Sequence, residues 1–510
     1  MKKIRNHIML AVGLLVASGC DSGFDEVNTS KTSPISLNPA YQLNQAIIST
    51  SSGGAAGGST LIYDIGIVQQ IISPNSGVLT GANFNQDNPD ATQTLWQGYY
   101  RNVIRNTKDI INAVKDDPAR ANLYNMARIL QAYAFMVLTD AYGDIPYTEA
   151  GMGYIEQNFF PSYDPQQLIY ADIINELKTA GAALNPSGTI ETADVLYGGD
   201  VTLWRKFANS LLLRAGMRLV KVDATQAQSI VSAIDVSDLI LTNEENAVVR
   251  HDANYQNGIG VTLNGTEGAN FYLTEPFVNH LKNNNDPRLS AIAVRYIGAK
   301  SGPEQTVDRA SYDPDDQIGM PMGHNNTTIT TVAADLGLAS FYDFSQADRR
   351  RVTKQTAPHF LVTAAQTNLL LAEAHQRGWI TEGDAADYYE AGIRAHMEQL
   401  GIVDAASAID PADVDDYIDA HPYDGTLEQI NTEYWIASFL NGPEAFANFR
   451  RSGYPTLAPN PYPGREIDGF IRRLTYPRSE ISVNEENVNE AIARQGPNKL
   501  DTRVWWDVDI

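Results

Sequence analysis

The chain has 510 residues, 43% of them hydrophobic and 19% charged, with 37 Lys and Arg against 61 Asp and Glu for a net charge of −24. That is a globular composition, long enough for a large core or several domains. A surface so acidic is poorly suited to nucleic acid phosphates, and one cysteine excludes a disulfide within the chain.

Lys2, Lys3 and Arg5 precede a short apolar run over residues 8–16, which predicts a targeting segment over 1–19. The run is too short for a permanent membrane span. Ala17-Ser18-Gly19 then lead into Cys20, the arrangement of a lipoprotein signal. It predicts cleavage before Cys20 and lipidation there, so that the protein is anchored rather than free. Residues 20–60 read as a lipid anchor and tether, with a short helix over 41–50 and Gly-rich 51–58 as a flexible joint. Residues 61–510 read as one domain, opening on a helix over 61–72.

The strongest periodicity lies between 95 and 142. Val103, Ile104, Thr107, Ile110, Ile111 and Val114 share one helical face, and Asp117-Pro118 ends that helix. Leu123, Ala127, Leu130, Ala134 and Leu138 mark its partner, with Met126, Ile129, Tyr133 and Met136 widening the stripe. A helix apolar on more than one face is expected inside a stack. Further pairs follow over about 164–221, 359–400 and 427–451. Four helix pairs suggest a tetratricopeptide-like array, but the spacing is uneven and a plain helical bundle fits the periodicity as well.

Residues 236–358 interrupt the pattern with a loop-rich insertion. A long irregular region in a compact protein is a usual place for function. Its Asp313-Pro314-Asp315-Asp316 run reads as a solvated turn before it reads as a calcium site. Residues 464–477 suggest a strand or hairpin, 488–494 a helix, and Val504-Trp505-Trp506 an apolar plug.

Catalytic signatures are missing. No H-E-x-x-H, G-x-S-x-G, Walker A or G-x-G-x-x-G motif occurs, and no cofactor is implied. The eight His residues lack metal-ligand spacing. A carboxylate pair for glycoside hydrolysis stays open, because so many acids are present.

Four stretches carry a family resemblance. They are Phe24-Asp25-Glu26-Val27-Asn28-Thr29 behind the cysteine, Tyr142-Gly143-Asp144-Ile145-Pro146-Tyr147, Trp204-Arg205-Lys206-Phe207-Ala208-Asn209-Ser210-Leu211, and Arg473-Leu474-Thr475-Tyr476-Pro477 with Glu480 and Asn484, then the terminal Val504-Trp505-Trp506-Asp507. In this order, behind a lipoprotein signal, the chain resembles the SusD/RagB family of Bacteroidetes outer-membrane lipoproteins along essentially its whole length. The resemblance implies a mainly α, SusD-like fold of four tetratricopeptide-like helix pairs with little β structure. It implies a surface lipoprotein that binds without catalysing, captures glycans or in some members peptides, and partners a SusC-like TonB-dependent transporter. A surface glycoside hydrolase is the alternative from another class.

The resemblance transfers no ligand contacts, so the site is argued from chemistry. A sugar offers apolar C–H faces and a rim of hydroxyls, which aromatics and Asn, Asp, Gln or Arg recognise. Asn83-Phe84-Asn85 and Phe341-Tyr342-Asp343 combine both ingredients, and Tyr312 beside Asp313 is a third candidate.

Overall fold

The computed structural model describes residues 37–509. Cys20, residues 1–19 and Phe24-Asp25-Glu26-Val27-Asn28-Thr29 lie outside the described residues. The body is mainly α. The first helix pair begins at Pro89–Tyr99, where Asn88 accepts a hydrogen bond from the Ala91 amide and Pro89 fits the first helical position. It passes through a π turn at Tyr100–Ile104 into α1 (Arg105–Val114). Pro118 then breaks it before α2 (Ala121–Tyr142).

The second pair is α3 (Gln166–Ala183) and α4 (Val201–Arg218). The third is α5 (Ala364–Gln376) and α6 (Ala385–Val403), capped by Thr363 and Asp384. The fourth is α7 (Leu427–Ala437) and α8 (Gly442–Ser452). Helices α1 to α4 each pack on their predecessor, α5 packs on α4, α6 and α7, and α8 returns to α2. Eighteen of the twenty-two residues of α2 are buried, which makes it the inner helix.

Gly143 ends α2 with φ +82°, and a Cβ there would lie 1.7 Å from the Gln495 side chain. Only glycine meets both conditions. Gln495 accepts from the Asp144 amide at 2.6 Å, and Arg494 bonds the Asp144 carboxylate at 2.7 Å. The Tyr142-Gly143-Asp144 turn is thus the dock for the terminal helix Glu485–Gln495.

Four expectations need correction. Residues 39–60 are part of the body rather than a tether: Leu43, Ala46 and Ile47 of the helix Pro39–Ser49 are buried in the main core. The Gly-rich stretch is likewise no loose joint, since Gly53–Gly57 winds as a π turn against helices Pro89–Tyr99 and Gly258–Asn264. Its glycines permit close approach, and a Cβ on Gly57 would meet the Gly258 carbonyl at 2.9 Å. The 61–72 helix stops early, with Ile71–Ile72 pairing antiparallel to Tyr272–Leu273. Residues 464–477 form no strand. The Leu474 amide bonds the Ala141 carbonyl at 2.8 Å and the Arg472 amide bonds Leu500 at 2.6 Å, so no strand partner is left for them.

The insertion is closed at its base. Ala247–Val249 pairs antiparallel with His359–Val362, so the chain leaves and returns at one point. Inside it, Ala293–Tyr296 is the central strand of a small antiparallel sheet with Ala310–Ser311 and Gln346–Ala347. Two small apolar clusters sit under this sheet and its neighbours, apart from the main core.

Buried ion pairs hold the helix pairs together. Arg218 of α4 reaches Glu444 of α8 at 2.7 Å and Asp140 of α2 at 3.2 Å. Asp140 also accepts from Tyr170 of α3 at 2.5 Å and from the Trp506 indole at 2.9 Å. Trp506 is fully buried, and Trp505 packs against Tyr170. A second cluster joins Arg451 of α8 to Glu373 of α5 through bonds of 2.7 and 2.8 Å.

Burial alone would raise the Glu373 carboxyl, but the charge and bonds of Arg451, with Arg377 beside it, carry it down to about 2. A depressed carboxyl contributes stability that is present above its unfolded-state value and lost as pH falls through the folded-state value. Melting temperature followed from about pH 6 to about pH 2.5 should therefore fall less steeply in Glu373→Gln than in the wild type, from a lower starting point. Parallel profiles would contradict this.

Candidate functional site

The structure separates the sequence candidates into two groups. Asn83, Phe84 and Asn85 are all buried. Phe84 is 0% exposed and meets Tyr462 edge-on at 4.9 Å. Asn83 donates to the Ser73 and His324 carbonyls at 2.8 and 3.0 Å and accepts from the Gly323 amide at 2.9 Å. Asn85 adopts φ +45°, which Asn tolerates better than most residues, and donates to Gly469 at 2.7 Å. Their polar atoms are committed to holding loops together. Residues that recognise hydroxyls also stabilise turns, and that is why this stretch drew notice.

The insertion brings the other candidates together. Tyr312 and Tyr342 are half-buried and pack on one cluster with Val294, Tyr296 and Ala299. Phe341 stacks on Tyr342 at 4.2 Å and faces the second small cluster through Tyr272. Asp343 is buried. Arg295 bonds its carboxylate at 3.0 Å and its carbonyl at 2.9 Å, so Asp343 fixes the turn that presents the two rings. In the acidic run, Asp313 accepts from the Asp315 amide at 2.9 Å and Asp316 from the Ser311 hydroxyl at 2.6 Å. These carboxylates act as turn acceptors. Among the described residues no group of three or more His, Cys, Asp or Glu is placed to hold a metal ion.

Tyr312 opens onto a groove of about 710 Å³ between the insertion and the segment that follows α6. Ser290, Arg350, Arg351, Asp404, Asp410 and Asp413 line it. The Arg351 guanidinium lies 4.2 Å over the Tyr312 ring and bonds the Ser290, Ala293 and Ala406 carbonyls, which makes it a fixed wall. Arg350 is exposed and reaches the Tyr312 hydroxyl. Burial, with Asp348 nearby, pushes the Tyr312 phenol up, so it stays protonated and can donate. The hydrogen bond from Lys354 holds the Asp404 carboxyl low, the wrong direction for a general acid. The groove offers an aromatic, a guanidinium and carboxylates around a volume that suits a small ligand.

Sequence reasoning passed over Arg350 and Arg351, and also the carboxylates from 404–413. Arg349-Arg350-Arg351 was visible as a basic triplet, but its partners lie far away along the chain.

Comparisons with known proteins point one way. A family model of SusD-like proteins, described as starch-binding and associating with the outer membrane, matches residues 29–477. A solved structure named as a chitin-binding protein is 30% identical, with a TM-score of 0.81 over 92% of this chain and 100% of that one. A Bacteroidetes SusD-like structure is 27% identical, with a TM-score of 0.81 over 93% and 100%. A chitin-binding SusD homologue from Flavobacterium johnsoniae is 24% identical, with a TM-score of 0.70 over 93% and 96%, and shows the shared fold. No protein of curated function matches the sequence. Among the described residues no helix is long and apolar enough to cross a membrane.

The burial difference predicts different mutational costs. Phe84→Ala should lower the unfolding free energy by about 3–5 kcal/mol in urea titration, and Tyr312→Ala by about 1–2 kcal/mol. Equal costs would contradict the assignment of Phe84 to the interior and Tyr312 to the groove.

Proposed function

The chain belongs to the SusD-like family, and from that premise we propose that it captures oligo- or polysaccharide at the cell surface and passes it to a SusC-like TonB-dependent transporter. The observation that carries this reading is the full-length likeness to a protein named as chitin-binding, at 30% identity. The groove at Tyr312 is the proposed contact surface, with Tyr342 on the cluster that Tyr312 also packs against, Phe341 stacked on Tyr342, and Asp343 as a positioning residue. Asn83, Phe84 and Asn85 hold the loops that frame the body and do not touch the ligand.

The chemistry of the groove supports a carbohydrate. A tyrosine face covers a sugar C–H face, and Arg350 and the aspartates bond hydroxyls. The net charge of −24 suits a neutral glycan better than an acidic one. The role is binding, as in the family described as starch-binding. Cys20 is the proposed lipid anchor, which would hold the protein on the outer membrane facing outward.

Affinity electrophoresis through gels containing glycol chitin or starch tests capture. The wild type should be retarded by one of them, Tyr312→Ala should lose about tenfold in apparent affinity, and Phe84→Ala should be retarded as the wild type is wherever it folds. Retardation by neither glycan, with saturable binding of a peptide, would replace the carbohydrate reading with a peptide one.

Anchoring has its own test. Growth with radiolabelled palmitate should label the wild-type chain and leave Cys20→Ala unlabelled, with the variant released from the membrane fraction. Label on Cys20→Ala would contradict the anchor.

A further inference from the structure

The segment that follows the first helix pair carries three exposed aromatics: Tyr154 at 92%, Phe159 at 68% and Phe160 at 59%. Its backbone is pinned. Glu149 accepts from the Asn158 side chain at 3.0 Å and from the Ser162 amide at 2.8 Å. Asn487 donates to the Phe160 carbonyl at 3.0 Å, and Asn484 to the Pro161 carbonyl at 2.8 Å. Folding gains nothing by holding large apolar rings in water on a fixed backbone, so such a patch marks a binding surface.

Phe159 is one wall of a pocket of about 310 Å³. Trp96 and Tyr100 form the others, in contact with each other at 4.8 Å. Gln97, Arg101 and Glu480 stand around them. Neither the Gln97 amide nor the Arg101 guanidinium has a side-chain hydrogen bond or ion pair among the described residues. Glu480 accepts from the Tyr163 hydroxyl at 2.9 Å, lies beside Trp96, and has no cation within ion-pair distance among the described residues. Burial pushes its carboxyl up. Gln97 and Arg101, without committed side-chain partners, and a Glu480 carboxylate free of any ion pair among the described residues are set around aromatic walls, in contrast with Asn83 and Asn85, whose donors are spent.

We propose that this pocket is a second carbohydrate subsite, taking a pyranose unit of a neutral glycan with Phe159 and Tyr100 against its C–H face and Gln97, Arg101 and Glu480 on its hydroxyls. The proposal rests on the carbohydrate reading of the groove, yet the two sites share no lining residue. A chain long enough to engage both would gain affinity by avidity without any new contact.

Trp96 lines this pocket and no tryptophan lines the groove, so fluorine NMR of 5-fluorotryptophan protein separates them. The Trp96 resonance is assigned by its loss in Trp96→Phe. Titration with chitohexaose or maltoheptaose should shift it saturably. The shift should persist in Tyr312→Ala, and in Phe159→Ala and Glu480→Gln it should need about tenfold more ligand. Phe159 is exposed, so its variant should keep the wild-type melting temperature. A Trp96 signal that stays still while a glycan retards the protein in gels overturns the second subsite and leaves capture standing. A shift that Phe159→Ala does not weaken overturns it as well. A still signal with no retardation overturns both readings and gives the pinned patch to a protein partner.

Discussion

Everything in this molecule hangs on charges taken out of water. Arg218, Arg450, Arg451 and Arg473 are among the largest fully buried side chains, and each must find its acceptors inside. Asp140 is where Arg218 and Arg450 converge. It receives groups from α3, α4 and the C-terminal Trp506, while Arg450 of α8 bonds its carbonyl at 2.7 Å. The Arg450 guanidinium lies 4.7 Å over the Trp506 ring, and burial lowers it only to about 10, so it remains charged at neutral pH. Removing one partner from such a cluster leaves a charge stranded, which costs far more than an exposed ion pair gains. Chain segments more than 350 residues apart are therefore fixed to one another by a few named groups.

That rigidity suits a binding protein. The helix pairs form a closed frame, because α8 returns to α2. The insertion is fixed to the frame by strand pairs at 247–249 and 272–273 and by the buried Arg288–Glu433 ion pair, and it carries its own small sheet. Rings such as Tyr312 and Tyr342 are then presented by turns that Arg295 and Arg351 lock from beneath. A surface held this way loses little freedom when a ligand arrives.

The helix pairs were legible because helical periodicity and capping are local. Asp117-Pro118 marks an end where it acts, whereas the helix begins at Pro89 rather than near 95 and the third pair at Ala364 rather than 359, because 359–362 pairs as a strand. The burial of α2 followed from apolar residues on more than one face. The site was legible only in part. Tyr312 and Tyr342 were legible as aromatics of the insertion, but their packing on one cluster depends on the register of strands at 293–296 and 310–311. The groove needs Arg350 beside Asp404 and Asp413, and no local pattern records that. Asn83-Phe84-Asn85 misled because turn chemistry and hydroxyl recognition use the same residue types. The Gly-rich stretch misled for a related reason: glycine serves close packing as readily as it serves flexibility.

The central claim is that a rigid frame presents the insertion face to a glycan. Hydrogen–deuterium exchange of the folded protein, with and without a saturating oligosaccharide that retards it in gels, tests this most directly. The account predicts new protection over residues 310–316 and 341–351, with helices α2, α4 and α8 slow to exchange in both states. Protection confined to the helix pairs, with the insertion unchanged, would contradict it.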